Sequence, residues 1–267
     1  MQDIRIVSLY YYPIKSCRGI KLDRAQISKR GIKNDRAFML TDTQGHFLTQ
    51  RKYPRMALIN TQPDDVYLNL SASNMPGIAI RPKNTGQPKK VQVWQDSCFA
   101  VDQGDDAARW LSEFLGVNCR LVKIMNDTNR LVNLRYRIND NNQISFADGF
   151  PFLLTAEESL SDLNRRMKKQ LPMNRFRPNI VIKGCPPYAE DNWEQIRIGS
   201  ITFTVAKPCE RCTITTIDQD TGLRGREPLI TLNSYRKNNN QKVEFGQNLI
   251  HHSEGEIWVG NKLEVLT

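Results

Sequence analysis

The sequence predicts a mixed, mainly β fold with a few helices, arranged as two β-rich halves about a helical joint. Three observations carry that expectation. Short β-forming segments recur at even spacing through residues 1–100, an amphipathic helix follows, and alternating β-branched segments return towards the C-terminal end.

In the first half, Ile4 to Tyr12 is dense in β-formers. Ala37 to Thr41 and Phe47 to Thr49 flank Asp42-Thr-Gln-Gly45, a hairpin signal. Further strands are expected over 57–62, 66–70 and 78–81, with a pair at 91–94 and 98–101 across Gln95-Asp-Ser97. Short strands so spaced suggest a small barrel or curled sheet. A helix opening at Asp102 or Asp105 buries Ala108, Trp110, Leu111, Phe114 and Leu115, and Gly116 suits its left-handed C-terminal stop. Asn126 to Asn142 is polar and reads as a long exposed loop.

Thr155-Ala-Glu-Glu158 has the spacing of a capping box, with Leu160, Leu163, Met167 and Leu171 continuing at helical period. The opposite face carries Arg165, Arg166, Lys168 and Lys169, which reads as a solvated side; no aromatic residue interleaves it as a nucleic-acid grip would ask. Strands follow at 179–183, 195–198, 201–206 and 213–217, with Gly199-Ser200 as a hairpin turn. A final hairpin over 257–266 turns at Gly260-Asn261.

Composition bounds the function. A chain of 267 residues with 39% hydrophobic and 25% charged residues builds one large domain or two packed ones and is not disordered. The opening residues carry charge where a signal peptide needs an apolar run, and no segment approaches the ~18 to 20 apolar residues of a membrane span. A cytoplasmic protein without membrane attachment is expected. Six scattered cysteines in a chain of this size read as reduced thiols rather than a disulfide framework. The net charge of +10 and pI of about 9.4 favour an anionic partner or a solvated basic surface.

The chemistry is expected at Cys209-Glu-Arg-Cys212, flanked by Lys207 and Arg211, because nearby cations favour the thiolate that attacks electrophiles or ligates soft metals. A zinc knuckle, a dithiol redox centre and a single-thiolate metal ligand compete. Zinc needs two ligand pairs, and the other cysteines are isolated while His251 and His252 are adjacent. A thioredoxin-like dithiol opens a helix, whereas Thr213 to Ile217 favours a strand. The flanking charges argue against full burial. Asp218-Gln-Asp-Thr-Gly222 follows as a turn, where Asp218 either serves as proton donor or makes an Asx turn without chemistry.

The same residues carry a resemblance. Pro13-Ile-Lys-Ser-Cys17, Asp35-Arg36, Phe176-Arg-Pro-Asn-Ile-Val181, Tyr188-Ala-Glu-Asp-Asn-Trp193, Cys209-Glu-Arg-Cys212 with Thr215-Thr-Ile-Asp218, Leu232-Asn-Ser-Tyr-Arg236 and Phe245-Gly-Gln247 occur in order over most of the chain. In these motifs the chain resembles MOSC proteins of the amidoxime-reducing kind. The resemblance implies a β-barrel N-terminal domain over 1–100, a connecting helix over 101–120 and a MOSC domain over 121–267, with a molybdenum cofactor (molybdopterin) between the two domains. It implies Cys212 as metal ligand, Asp218 as a proton relay, and Lys15, Ser16, Arg36, Asp148, Arg177 and Arg211 as cofactor-binding residues. Gly149, Glu210 and Asn248 fall at binding positions too.

The activity so implied is reduction of N-hydroxylated compounds. At the level of the family the resemblance also carries pyridoxal phosphate binding, to which no residue is assigned. Since the sequence ends without the cysteine cluster of a ferredoxin-like domain, electrons are expected from a separate donor: a ferredoxin, flavoprotein or small cytochrome. The residues after Asp148 lack the hydroxyl groups of some relatives, which leaves backbone contacts there. The alternative from another class is a carrier that holds sulfur or the cofactor on Cys212 without turnover.

Overall fold

The computed structural model describes residues 3–267 and is mainly β, with 37% strand and three α-helices. The largest sheet has eight strands. Its order across the sheet is Leu263–Val265, Gln195–Ile198, Ile201–Glu210, Glu244–His251, Phe152–Ala156, Ile180–Lys183, Arg5–Tyr11 and Ile20–Leu22. Two strands from the start of the chain therefore complete a sheet built by the second half, with Leu9 opposite Ile180 in the antiparallel register.

Smaller sheets complete the frame. Phe38–Thr41, Arg120–Ile124, Asp96–Asp102 and Pro88–Val93 form a four-stranded antiparallel sheet. Asn60–Pro63, Leu68–Ser71 and Ile78–Ile80 form a meander, and Arg24–Ser28 is the centre of a three-stranded sheet between Gly255–Trp258 and Gly31–Ile32.

Helix α1 (Asp105–Leu115) forms as expected and ends at Gly116 with φ 67°. It sinks Trp110, Leu111 and Phe114 into a core shared with Met56, Ile59, Leu68 and Leu70. A second core gathers Ile6, Leu9, Phe152, Leu154, Ile180, Ile196, Phe203 and Leu249 under the eight-stranded sheet. These two cores hold the rims of the cleft described below.

Four sequence expectations differ from the structure. Thr155 lies in the strand Phe152–Ala156, so α2 (Glu157–Arg165) starts directly from the sheet without a capping box. Glu158 instead accepts the Gly184 N–H at 2.8 Å. The final turn at Gly260-Asn261 exists, but its arms diverge into separate sheets, one against Arg24–Ser28 and the other against Gln195–Ile198. Residues 213–217 are not a strand; Thr213–Thr216 is a 3-10 turn. The ladder with Glu244–His251 runs out at Glu210, and the Thr215 and Thr216 hydroxyls then bond the carbonyls of Cys212 and Thr213, so β propensity finds no partner.

The segment after Ile124 is irregular but not wholly exposed. Arg130, Val132, Asn142 and Ile144 are buried, and Leu131 bridges Gln143, pinching off an outer loop. Helix α3 (Leu229–Tyr235) lies outside the helices expected from the sequence.

Candidate functional site

A cleft of about 830 Å³, including the solvent in its mouth, opens between the two cores. Its walls come from distant segments. Lys15, Ser16, Arg36 and Arg51 arrive from the first half, Asp148, Gly149 and Arg177 from the middle, and Cys209 to Cys212 and Asn248 from the sheet.

Local structure fixes each wall. The turn at Pro13 to Cys17 closes through the Cys17 N–H on the Ile14 carbonyl, 3.1 Å, which leaves Ser16 at φ 67°. The Lys15 amide donates to the Phe38 carbonyl at 2.8 Å, and the Arg36 amide donates to that of Tyr12 at 2.7 Å. Arg36 (φ 47°) and Arg177 (φ 55°) are also left-handed. Non-glycine residues in that region are strained and persist where surrounding structure over-determines them, a pattern concentrated at ligand clamps.

Tyr12 is the pillar between the two arginines. The Arg36 and Arg177 guanidinium carbons each lie 4.2 Å from its ring centroid. Arg36 also pairs with buried Asp35 and donates to Asn179 Oδ1 at 3.0 Å; Arg177 donates to the Cys17 carbonyl at 2.8 Å. Burial lowers the Arg177 pKa, and the like charge of Arg36 adds to that. An anion in the cleft would relieve both effects.

On the opposite wall, buried Lys15 donates to the Phe146 carbonyl at 2.8 Å and pairs with Asp148. Partial burial works against the Asp148 carboxylate, yet Lys15, the Trp94 indole and Arg51 hold its pKa well below the usual carboxylate range. Gly149 follows with open space where a side chain would project. Asn248 turns its amide towards the Lys207 and Pro208 carbonyls, and Glu210 pairs with Lys207 at 3.3 Å.

The six cysteines sort by environment. Cys17, Cys98, Cys119 and Cys185 are buried, and burial pushes the thiols of Cys17 and Cys185 up to about 12, which keeps them protonated and inert. Cys212 is exposed, with an Arg51 N–H 3.6 Å from its sulfur. Cys209 is half-buried and takes an Arg211 N–H at 2.9 Å. Arg211 also donates to the Phe176 carbonyl at 2.6 Å, while its Nε is buried without a partner.

Among the described residues no group of three or more His, Cys, Asp or Glu could hold a metal ion by itself, which leaves the zinc-knuckle arrangement unformed. No helix is long and apolar enough to cross a membrane. What the cleft does present is one exposed thiol with five cations and two carboxylates around it.

The MOSC N-terminal beta barrel domain matches residues 3–118, and the MOSC domain matches residues 141–264. The chain belongs to the MOSC family. Mitochondrial amidoxime-reducing component 1 of Mus musculus is 35% identical over 98% of this MOSC protein and 82% of its own length. Mitochondrial amidoxime reducing component 2 of Bos taurus is 36% identical over 88% of the chain and 74% of its own length. Molybdenum cofactor sulfurase of Oryza sativa subsp. japonica is 33% identical over 99% of the chain, which spans only 35% of that larger protein.

Of the residues singled out in the sequence of this MOSC protein, Lys15, Ser16, Arg36, Asp148, Gly149, Arg177, Glu210, Arg211, Cys212 and Asn248 all line the cleft. Asp218 does not. Its Oδ1 accepts the N–H groups of Asp220 and Thr221, both at 3.0 Å, and its Oδ2 takes an Arg175 N–H at 2.7 Å. That makes it an Asx turn and the partner of a buried arginine, not a proton relay facing the thiol.

Sequence reasoning passed over Tyr12, Arg51, Trp94 and Arg130. Arg130 is buried and donates to the Ser145 carbonyl at 2.7 Å while pairing with Asp96, which ties the Asp148 segment to the four-stranded sheet. A lone arginine in a polar segment carries no signal of such a role.

Proposed function

We propose that this protein is a molybdenum-cofactor-dependent oxidoreductase that reduces N-hydroxylated compounds with electrons from a separate donor protein. The observation that carries the reading is the cleft itself, where one exposed thiol shares a cavity with five cations from distant parts of the chain. A soft thiolate suits a high-valent molybdenum centre, and arginine forks suit a terminal phosphate. The names of the amidoxime-reducing relatives support the substrate class.

The residues fit such a group. Cys212 would ligate the metal, since it alone among the cysteines is exposed. Arg36, Arg177 and Arg211 would take the phosphate and pterin oxygens, with the orphaned Arg211 Nε still free to donate. Lys15 and Asp148 hold that wall in place, and Ser16, Gly149 and Asn248 let the backbone and amide approach. Glu210, at the rim, faces Lys207 and would sit beside the pterin. Bound there, molybdenum would supply two-electron oxygen-atom transfer, with the thiolate setting its electronics.

Reduction of an amidoxime to an amidine consumes two electrons and two protons and releases water. The electrons come from a separate ferredoxin, flavoprotein or small cytochrome, for which the basic surface offers complementary charge. The test is metal analysis after expression in a host that makes the cofactor, followed by benzamidoxime reduction with a reduced viologen. Stoichiometric molybdenum and turnover, both lost in Cys212→Ser, are expected; turnover that survives Cys212→Ser refutes the reading.

The likeness to a molybdenum cofactor sulfurase favours a second reading, in which Cys212 carries a persulfide. Metal-free protein with sulfane sulfur on Cys212 would establish it.

A further inference from the structure

The cleft cations differ in how far they are already committed. Lys15 is held by Asp148 and the Phe146 carbonyl, Arg36 by Asp35 and Asn179, Arg177 by the Cys17 carbonyl and Arg211 by the Phe176 carbonyl and Cys209. Arg51 stands apart. Among the described residues its guanidinium makes no direct ion pair, acting on Asp148 only through its charge, and its contacts are the Cys212 sulfur at 3.6 Å and the face of Trp94 at 4.3 Å.

Trp94 is itself out of place by local rules. It occupies the turn between Pro88–Val93 and Asp96–Asp102 with φ 57°, a conformation that favours glycine or asparagine. The Gln92 side chain donates to its backbone carbonyl at 2.9 Å, and three contacts hold its side chain. Its indole N–H donates to Asp148 Oδ1 at 3.0 Å, its ring lies 5.1 Å from that of Phe47, and Arg51 covers its face. It nevertheless keeps 43% of its surface exposed, so burial does not explain the strain.

The base of Arg51 is fixed as well. Arg224 donates to its backbone carbonyl, and the neighbouring Gln50 side chain donates to the Ser16 carbonyl at 2.7 Å. A guanidinium so placed lies over an indole, has one N–H beside the thiol, and lines the cleft with no recorded hydrogen bond from its other nitrogens among the described residues. Planar forks of this kind recognise oxygen-bearing planar groups.

We propose that Arg51, braced flat on Trp94, is a positioning residue that grips the N–O oxygen of the substrate and holds it beside Cys212. The proposal rests on the reductase reading and adds to it a substrate-binding group from the first half of the chain. The groups gripped are planar conjugated N-hydroxyl functions such as amidoximes and hydroxamic acids. Trp94 keeps the fork in plane and offers its exposed edge to an aromatic substituent.

The test uses the molybdenum-loaded protein and its Arg51→Gln, Arg51→Lys and Trp94→Leu variants. Molybdenum content is measured first, then benzamidoxime binding to the oxidised protein by calorimetry, then viologen-driven turnover. Arg51→Gln is expected to keep its molybdenum and to weaken both Kd and KM about tenfold, equivalent to about 1.4 kcal/mol, with a smaller fall in kcat. Arg51→Lys should recover part of that loss and Trp94→Leu should show part of it.

Unchanged Kd and KM in Arg51→Gln overturn the proposal. So does loss of molybdenum from that variant, which would assign Arg51 to the cofactor instead. A wild-type protein that carries molybdenum but neither binds nor reduces benzamidoxime refutes the reductase reading, and the proposal with it.

Discussion

Replacing Tyr12 tests whether the anion-binding end of the cleft is built around its ring. The ring is 3% exposed, lies between Arg36 and Arg177 at 4.2 Å from each, and its hydroxyl donates to the Pro178 carbonyl at 3.0 Å. Tyr12→Phe keeps both ring contacts and removes one neutral hydrogen bond, a loss of about 1 kcal/mol. Tyr12→Leu removes the hydroxyl and two cation–π contacts worth about 1 to 2 kcal/mol each in a partly desolvated setting, for roughly 3 to 5 kcal/mol in all. Both losses are read from urea midpoints at unchanged m. The ring also resists pressure from the other side: a Cβ at Gly19 would sit 2.3 Å from Tyr12 Cε1, so Gly19→Ala is expected to cost about 1 to 3 kcal/mol through overpacking. Molybdenum retention should follow the ring and not the hydroxyl, surviving Phe and falling in Leu. Equal losses in Phe and Leu would show that the hydroxyl carries the stabilisation, and a loss under about 0.5 kcal/mol in Leu, the usual range of a neutral surface change, would refute the pillar altogether.

Three further outcomes follow from other contacts. Asp218→Asn keeps the Asx turn but leaves buried Arg175 without its carboxylate, so stability should fall by about 1 to 2 kcal/mol while viologen-driven turnover stays close to wild type. The depressed Asp218 pKa stabilises the fold above the usual carboxylate pKa of about 4, so that variant and wild type should converge in thermal midpoint as pH falls. Glu190 is fully buried and its pKa is raised by burial, an effect that favours folding at low pH and is lost as pH rises through the folded pKa; Glu190→Gln should therefore gain on wild type in melting scans as pH rises above the usual carboxylate pKa of about 4. Gly246→Ala places a Cβ 2.6 Å from the Leu154 carbonyl oxygen at φ 77°, and a urea midpoint that stays at wild type would contradict the close approach of those two strands.

The parts of the fold legible in sequence were those fixed locally. Helix α1 has its amphipathic face and its terminal glycine within one turn of each other, and both appear in the structure. Hairpins with short turns, such as the one at Gly199-Ser200, are equally local. What sequence could not supply is partner choice. Leu263–Val265 and Gly255–Trp258 look like two arms of one hairpin by alternation, yet each has a better partner far away in the chain. Thr213–Thr216 shows the converse, β-branched residues whose ladder has simply ended.

The candidate site divides in the same way. Residues of recognisable motifs, Lys15, Arg36, Arg177 and Cys212 among them, meet in one cleft because a motif preserves a backbone shape as well as a side chain. Ser16, Arg36 and Arg177 all depend on left-handed backbone that nothing in their side chains announces. Arg51 and Trp94 lie outside every motif, and their roles exist only once the four-stranded sheet brings its turn against the Asp148 segment. Asp218 fails in the opposite sense: it neighbours the thiol in sequence, but the 3-10 turn after Cys212 rotates it away to Arg175. Proximity along the chain is therefore a weaker guide to this site than unpaid backbone strain. Of the residues with positive φ that are not glycine, Ser16, Arg36 and Arg177 line the cleft and Trp94 backs two of its walls through Asp148 and Arg51, each held by contacts that a relaxed turn would not need.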